Sequence, residues 1–437
     1  MRKLEGRSMI CLLLILAMLA GLLFFVVRLE INGSKWASFY ANDHIYSDGI
    51  LNTGEITDRN GETLLKNDAE GPLYAGSEEE RRAVSTVVGD IGSNIETGAN
   101  LVFRTRLVKY NPITGTEGFL GMKGGVVKLS IDKDVNYAAY EALAGRNGFV
   151  SVYDYTTGDI VCLVSTPTVD PQDPDAIETA ESGAYINKVF SASFAPGSTF
   201  KVITAMAALE NISDLESRTF ECWGQTEIGE GIVDCPYAHG TMDFEGALAN
   251  SCNCVFGQLA AEMGPDIMGV YVNKAGLTSS YQVNGIETAS GSFTFDYSDL
   301  DLAWAGIGQF EDQVNPLSMM VLMGSIAGNG TAAEPSIVKG ESEGTVSLVD
   351  PNTAQRLKEL LRNNVISNYG DDNFPGLEMG AKSGTAETGD GYEPNAWFCG
   401  YSGNYAFVVM VEHGGGGADV AGPVANTVLQ KLMEQGE

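Results

Sequence analysis

A serine and a lysine three residues apart mark the stretch of this chain with the most evident capacity for chemistry. Pro196-Gly197 predicts a turn, and the Ala-, Leu- and Met-rich segment from Ser198 onward predicts a helix. Residues i and i+3 share a helix face, so the Ser198 hydroxyl and the Lys201 amine are expected to be neighbours. The first turn of a helix also favours a developing negative charge. The pair is a candidate nucleophile with its own base, although an N-cap serine followed by a surface lysine has the same pattern.

Two further motifs could complete such a site. In Ser251-Cys252-Asn253, between two predicted helices, the serine could relay a proton and the asparagine could donate to a substrate amide. Lys382-Ser383-Gly384-Thr385, in a predicted strand, offers a cation, hydroxyl groups and a glycine for close backbone approach. Those groups suit a substrate carboxylate beside an acyl carbonyl. Either motif alone is weak evidence, since a helix N-cap explains the first equally well.

These motifs must be positioned by strands from two ends of one domain. Short apolar runs and turn residues predict two early strands, three late ones, intervening helices and a last helix at about 424–434. The strands are expected at 149–155, 159–165, 379–387, 396–401 and 405–411. The sequence therefore predicts an α/β or α+β domain whose single sheet is assembled from both ends, with a helical insertion.

Composition narrows the classes of partner. The 437 residues carry 44% apolar side chains, which is enough for a large core and for two or three domains. The net charge of −31 leaves no basic surface for phosphates, so the sequence predicts no nucleic-acid partner.

An apolar run at residues 9–27 is long enough to cross the ~30 Å hydrocarbon core of a bilayer. Arg2, Lys3 and Arg7 precede it, so the positive-inside rule predicts a cytoplasmic tail at 1–8 and everything after Arg28 outside. A cleaved signal peptide is the alternative. Since no small-x-small site follows the run, we expect an uncleaved single-pass anchor.

The cysteines do not indicate a metal site by spacing. Cys252-Asn253-Cys254 has neither zinc-ligand spacing nor a second pair, so the sequence predicts no metal and no cofactor. Cys222 and Cys235 flank a Gly-rich loop and could form a disulfide in an oxidising compartment, a pairing that the sequence leaves open.

Together, Ser-x-x-Lys on a helix, Ser-x-Asn in a loop and Lys-Ser-Gly on a strand are the signature of serine acyltransferases that react with penicillin. The chain resembles penicillin-binding proteins, and within them the monofunctional class B D,D-transpeptidases. Phe310 departs from the pattern, because the family often has Gly there. The resemblance covers most of the chain and includes Asp58-Arg59-Asn60-Gly61, Thr157-Gly158-Asp159-Ile160, His239-Gly240, Ile307-Gly308-Gln309 and Ala396-Trp397-Phe398.

The resemblance implies the penicillin-recognising transpeptidase fold, with a five-stranded antiparallel sheet flanked by helices. It also implies a domain order. After the tail (1–8) and the anchor (9–27), a small β-rich class B docking module spans 28–125 and a transpeptidase domain spans 126–437.

The resemblance further implies a role for each motif. Ser198 would attack the D-Ala-D-Ala carbonyl of a peptidoglycan stem peptide with Lys201 as base, and Ser251 would assist proton transfer. The backbone N–H groups of Ser198 and Thr385 would form the oxyanion hole. The substrate-binding residues would be Asn253, Lys382, Ser383, Gly384 and Thr385.

The implied partners are the donor stem peptide, the amine of a second stem peptide as acceptor, β-lactams that trap the serine, the membrane, and a lipid-linked glycan polymerase of the elongation or division machinery. Four alternatives stay open at this point. They are a D,D-carboxypeptidase with water as acceptor, a serine β-lactamase, a β-lactam sensor, and a catalytically silent scaffold of a cell-wall complex.

Overall fold

The apolar N-terminal run lies within one long helix, α1 (Arg2–Ala37). The computed structural model of the chain describes residues 2–39, 54–68, 71–108, 124–295, 298–389 and 391–436. Among these residues, 5–37 form the one helix that is long and apolar enough to cross a membrane. Its large side chains face outward, with Met18 70% exposed. The helix therefore has the length and surface of a single-pass anchor, and it continues beyond the predicted run at 9–27.

A small sheet follows α1 in the chain. Its strands are β1 (Glu55–Thr57), β2 (Thr63–Asp68), β3 (Gly71–Tyr74) and β4 (Val126–Lys128), in the order β3-β2-β1-β4, and helices α2 (Glu78–Val88), α3 (Ala99–Val102) and α4 (Arg104–Val108) accompany it. The β1–β2 turn is held by Asp58, whose carboxylate accepts the backbone N–H groups of Asn60 (2.8 Å) and Glu62 (2.9 Å). β1 and β2 are antiparallel, and Asn60-Gly61, a pair that favours a tight turn, lies between them.

The larger part of the chain surrounds a second sheet. Its helices are α5 (Lys133–Leu143), α6 (Ala176–Thr179), α7 (Lys188–Ser191), α8 (Lys201–Asn211), α9 (Phe244–Ala249), α10 (Asn253–Lys274), α11 (Asp299–Ala305), α12 (Pro316–Ala327), α13 (Pro351–Asn364) and α14 (Gly417–Gly436). The strands of this part of the chain are β5 (Gly148–Asp154), β6 (Ile160–Thr166), β7 (Phe220–Cys222), β8 (Gln225–Ile228), β9 (Gly231–Asp234), β10 (Gly240–Met242), β11 (Gln282–Val283), β12 (Ile286–Glu287), β13 (Thr331–Ala333), β14 (Thr345–Ser347), β15 (Gly380–Ala386), β16 (Asn395–Ser402) and β17 (Tyr405–Val411). Strands β7 to β14 form two-stranded pairs outside the second sheet.

Within the described residues the central sheet has five strands in the order β15-β16-β17-β5-β6, and every neighbouring pair is antiparallel. The prediction of one sheet built from early and late strands is confirmed. The last helix begins at Gly417 rather than near Val424, so its N-terminal turns were missed. Pro423, which normally signals a helix boundary, lies inside α14.

Both faces of the sheet are covered, because alternate residues of each strand point to opposite sides. Val409 and Val411 pack with α5 and α14, whereas Val408 and Met410 pack with α8, α10 and α12. Helix α8 is buried from Lys201 through Ala208 in this second layer. The segment that carries the candidate nucleophile is therefore held by the core, with its N-terminal end beside the edge strand β15.

Candidate active site

The turn before Ser198 is packed too tightly for any residue but glycine. Gly197 has a φ of +52°, and a Cβ there would lie 2.7 Å from the Thr385 carbonyl oxygen. Gly308 has a φ of +80°, and a Cβ there would lie 2.0 Å from the Gly197 carbonyl oxygen. The predicted helix begins one turn late, because Gly197–Phe200 form a 3-10 turn and α8 starts at Lys201. β15 and the Gly308 loop thus hold the serine from two sides.

Lys201 is the centre of a hydrogen-bond network inside the protein. Its side chain is fully buried, and its Nζ lies 3.0 Å from Ser198 Oγ. The same nitrogen lies 2.6 Å from the Ser251 carbonyl oxygen, 3.1 Å from Ser251 Oγ and 2.6 Å from Asn253 Oδ1. The 3-10 turn before α8 and the segment at the start of α10 are thereby brought to the one amine of α8.

The Lys201 amine is prepared to accept a proton. Burial, and then the nearby charge of Lys382, lowers the pKa of Lys201 well below its ordinary value. A neutral amine has two N–H donors and one lone pair. The two carbonyl oxygens, of Ser251 and Asn253, can take both donors, so the lone pair is available to a serine hydroxyl.

Ser251 lies between two lysines. Its Oγ is 3.1 Å from Lys201 Nζ and 3.0 Å from Lys382 Nζ, and its backbone is left-handed with a φ of +52°. Asn253 begins α10 and uses both ends of its amide within the protein, since its Nδ2 donates to the Asp234 carbonyl (2.8 Å). In this structure Asn253 therefore positions Lys201, while its side chain also borders the cavity described next.

A cavity of about 540 Å³ opens in front of these residues. Ser383 and Thr385 of β15 line it, whereas Lys382 is fully buried behind them and Gly384 faces the Pro196 carbonyl. Burial lowers the pKa of Lys382 to about 7. The structure thus brings Ser198, Ser251, Asn253, Ser383 and Thr385 to one cavity wall, with the two lysines beneath.

Sequence reasoning missed several residues of this site. The Tyr369 hydroxyl lies 3.0 Å from Ser383 Oγ and accepts the Ser383 backbone N–H (3.0 Å). Trp304 and Tyr237 line the cavity. No short motif marks these three, because they come from segments far apart in the chain. Phe310 also lines the cavity and keeps the left-handed backbone (φ +67°) that a glycine would adopt most easily.

Behind Asn253, the donor atoms of Cys222, Cys235, His239 and Cys252 all lie within 4.8 Å of one another. The spacing of Cys252 and Cys254 predicted no metal, but the fold places Cys222, Cys235 and His239 around Cys252. All the cysteines lie in the described part of the chain, and their thiols are free, including those of Cys222 and Cys235, for which a disulfide had been left open.

A family model and the sequences of known proteins both match this chain to penicillin-binding proteins. The family model described as the penicillin binding protein transpeptidase domain matches residues 148–434. The peptidoglycan D,D-transpeptidase PbpA of Mycobacterium tuberculosis is 27% identical over 365 residues, which cover 72% of this chain and 74% of that protein. Penicillin-binding protein 3 of Bacillus subtilis is 26% identical over 311 residues, covering 64% of this chain and 46% of that protein.

Solved structures share the fold. A ceftriaxone acyl-enzyme complex of penicillin-binding protein A from M. tuberculosis superposes with a TM-score of 0.78 at 22% identity, covering 86% of this chain and 97% of that one. A D,D-transpeptidase domain from Eggerthella lenta superposes with a TM-score of 0.73 at 24% identity, covering 87% of this chain and 98% of that one. The resemblance drawn from the motifs is confirmed: the chain belongs to the penicillin-binding protein transpeptidase family.

Proposed function

We propose that this protein is a serine peptidoglycan D,D-transpeptidase that cross-links stem peptides through an acyl-enzyme on Ser198 and is trapped there by β-lactams. The observation that carries this assignment is the buried Lys201 amine, 3.0 Å from Ser198 Oγ. A nucleophile with an adjacent neutral base is the arrangement that acyl transfer needs.

In the first step Ser198 Oγ attacks the carbonyl between the two terminal D-Ala residues, and its proton passes to Lys201. The backbone N–H groups of Ser198 and Thr385 stabilise the oxyanion. Three observations support this role for the backbone N–H of Thr385. β15 is the edge strand, and the Ser383 N–H points away from β16 to Tyr369. Thr385, two residues on, presents its backbone to the same open edge, where its carbonyl lies 3.4 Å from Gln309 Nε2.

The leaving D-Ala must receive a proton on its amine nitrogen. Ser251 is suited to deliver it, since its hydroxyl touches both lysines and lies on the cavity wall. The D-Ala carboxylate binds the hydroxyls of Ser383 and Thr385, with Asn253 and the close approach at Gly384 completing the wall. Lys382 attracts the D-Ala carboxylate by its positive charge from beneath the cavity wall, because its buried Nζ contacts Ser251 Oγ rather than the cavity.

The acyl-enzyme is then attacked by the amine of a second stem peptide, whose proton leaves by the same relay. The sequence organisation supports the rest of the assignment. Residues 1–8 lie in the cytoplasm, 9–27 cross the membrane, and the domain from 126 works outside the cell. The module at 28–125 docks a partner, for which a lipid-linked glycan polymerase of elongation or division is the candidate.

The assignment is tested by supplying a donor peptide ending in D-Ala-D-Ala together with increasing amounts of an amine acceptor. We expect the cross-linked product to rise with acceptor concentration while the hydrolysed donor falls, both measured by mass spectrometry. Total D-Ala release normalises the two products. Hydrolysis alone at every acceptor concentration would instead support a D,D-carboxypeptidase.

The two lysines predict a bell-shaped pH dependence for acylation by a β-lactam. Burial lowers both pKa values, and the charge of Lys382 lowers that of Lys201 further, so Lys201 is the first to lose its proton as the pH rises. The acylation rate constant should rise as Lys201 becomes neutral and fall above about pH 7 as Lys382 loses its charge. Stopped-flow or gel-based acylation rates across the pH range, with thermal unfolding at each pH as control, measure this. An acylation rate constant that keeps rising into alkaline pH would show that the charge of Lys382 does not contribute to binding the β-lactam carboxylate.

A further inference from the structure

Three thiols and an imidazole converge beside the catalytic network. Cys222 Sγ lies 3.3 Å from His239 Nδ1, and Cys235 Sγ lies 3.7 Å from Cys252 Sγ. A disulfide requires sulfurs about 2 Å apart, so the second pair is unbonded. A tetrahedral zinc ion with Zn–S bonds of about 2.3 Å holds its sulfurs about 3.8 Å apart. The observed spacing is therefore that of an edge of a zinc tetrahedron.

The backbone brings these four residues together by long-range pairing. Gly240 of β10 pairs with Cys222 of β7, which sets His239 beside Cys222. The β8–β9 hairpin lies between them in the chain, and the Cys235 N–H that follows it donates to the Gly224 carbonyl (2.9 Å). Cys252 is the residue immediately before α10. The donor atoms thus come from two strand pairs and a helix start, and the pairing of these distant segments sets their separation.

The surroundings of Cys235 suit a metal-bound thiolate. Its sulfur accepts the backbone N–H groups of Asn253 (3.1 Å) and Cys254 (3.4 Å) at the N-terminal end of α10. Hydrogen bonds from outer groups to a ligand sulfur are the usual second layer of a metal centre. Cys254 itself is turned away, since its thiol faces the Val233 carbonyl at 3.7 Å.

We propose that Cys222, Cys235, His239 and Cys252 bind one Zn²⁺ ion, which holds the catalytic segment from Ser251 to Asn253 beside Lys201. Thiolates and imidazole select zinc over Mg²⁺ or Ca²⁺, which prefer oxygen ligands. Four protein ligands fill a tetrahedral shell, so the ion is structural rather than a source of activated water.

The link to catalysis follows from the position of Cys252. It lies between Ser251 and Asn253, and the Asp234 carbonyl that accepts from Asn253 immediately precedes Cys235. An ion bound by both Cys235 and Cys252 would therefore connect the end of β9 to the start of α10. These two cysteines are the chain neighbours of Asp234 and Asn253, so the ion would also hold the Asn253–Asp234 hydrogen bond in place. This catalytic consequence rests on the proposed function, whereas binding of the ion does not.

The metal is tested first by its stoichiometry in the full-length protein purified in detergent with zinc. We expect one zinc per chain by plasma mass spectrometry, and thiolate-to-cobalt charge-transfer bands with a tetrahedral spectrum after exchange with Co²⁺. The C222S and C235S variants should lose the metal, while the matched variant C254S should keep it. A wild-type protein with neither zinc nor the cobalt spectrum, or with a Cys235–Cys252 disulfide by mass spectrometry, would overturn the site.

The positioning role is tested without substitution. Removing zinc with a chelator should slow acylation by a fluorescent penicillin roughly 10- to 100-fold, because a displaced catalytic segment misaligns the reacting groups. Zn²⁺ should restore the rate and Mg²⁺ should not. An unchanged rate in metal-free protein would overturn the positioning role. A protein that holds zinc and never reacts with penicillin would count against the acyl-transfer function and leave the metal site standing.

Discussion

Replacing Ser198 with alanine is expected to abolish covalent labelling of the protein by a fluorescent penicillin. The penicillin label forms on a nucleophile that an adjacent base activates, and Ser198 Oγ lies 3.0 Å from the Lys201 amine. The fold should be little affected, since the side chain is half-buried and the two carbonyl partners of Lys201 remain. Gel fluorescence and intact-protein mass, with the thermal midpoint as a check on folding, measure the outcome.

The labelling experiment must distinguish an adduct on Ser198 from one on Ser251, because the Ser251 hydroxyl also lies 3.1 Å from Lys201 Nζ. Peptide mapping of the wild-type adduct should place the label on Ser198. S193A is a matched control, because Ser193 precedes the same turn and its hydroxyl donates to the Ser290 carbonyl instead. Labelling that persists in S198A would refute the assignment of the nucleophile.

Replacing Lys201 with methionine should reduce the acylation rate by about 10²- to 10⁴-fold, the usual contribution of a positioned general base. Methionine fills similar space without an amine, so Ser198 loses its proton acceptor while the core stays packed. The Ser251 and Asn253 carbonyls lose their donors, which costs about 1–3 kcal/mol for each buried group left unsatisfied. Acylation kinetics and thermal unfolding, measured on the same preparation, separate the two effects.

A second buried lysine provides the control. Lys188 is 8% exposed, and its amine bonds the Thr166 carbonyl (2.6 Å) and Glu412, outside the residues that line the cavity. K188M should lower stability while its folded fraction acylates normally. The acid limb of the pH profile should also disappear in K201M. Acylation of K201M at the wild-type rate would exclude Lys201 as the base.

Much of the fold was predictable because its signals are local. Strands β5 and β6 are nearly continuous apolar runs, buried at almost every position, that meet at a Gly-containing turn. Strands β15, β16 and β17 were predicted within one residue of their observed ends. The start of α14 was missed, because a proline inside a helix reads as a boundary even when neighbouring packing supports the turns around it.

The site was predictable in its motifs and not in its contacts. The i, i+3 spacing of Ser198 and Lys201 is a property of helical geometry, so their proximity followed from the sequence. That Lys382 contacts Ser251 rather than the cavity, and that Tyr369 meets Ser383, depend on how α13, α10 and β15 pack. No periodicity carries that information.

The sequence by itself determined the membrane-length apolar run, the order of the three motifs and the strands and helices that bear them, since each depends on neighbouring residues. Only the tertiary structure decided that two lysines are buried beside one serine, which lowers their pKa values, and that Cys222, Cys235, His239 and Cys252 converge behind Asn253. Burial and convergence are properties of packing between distant segments, so they arise only when the whole chain folds.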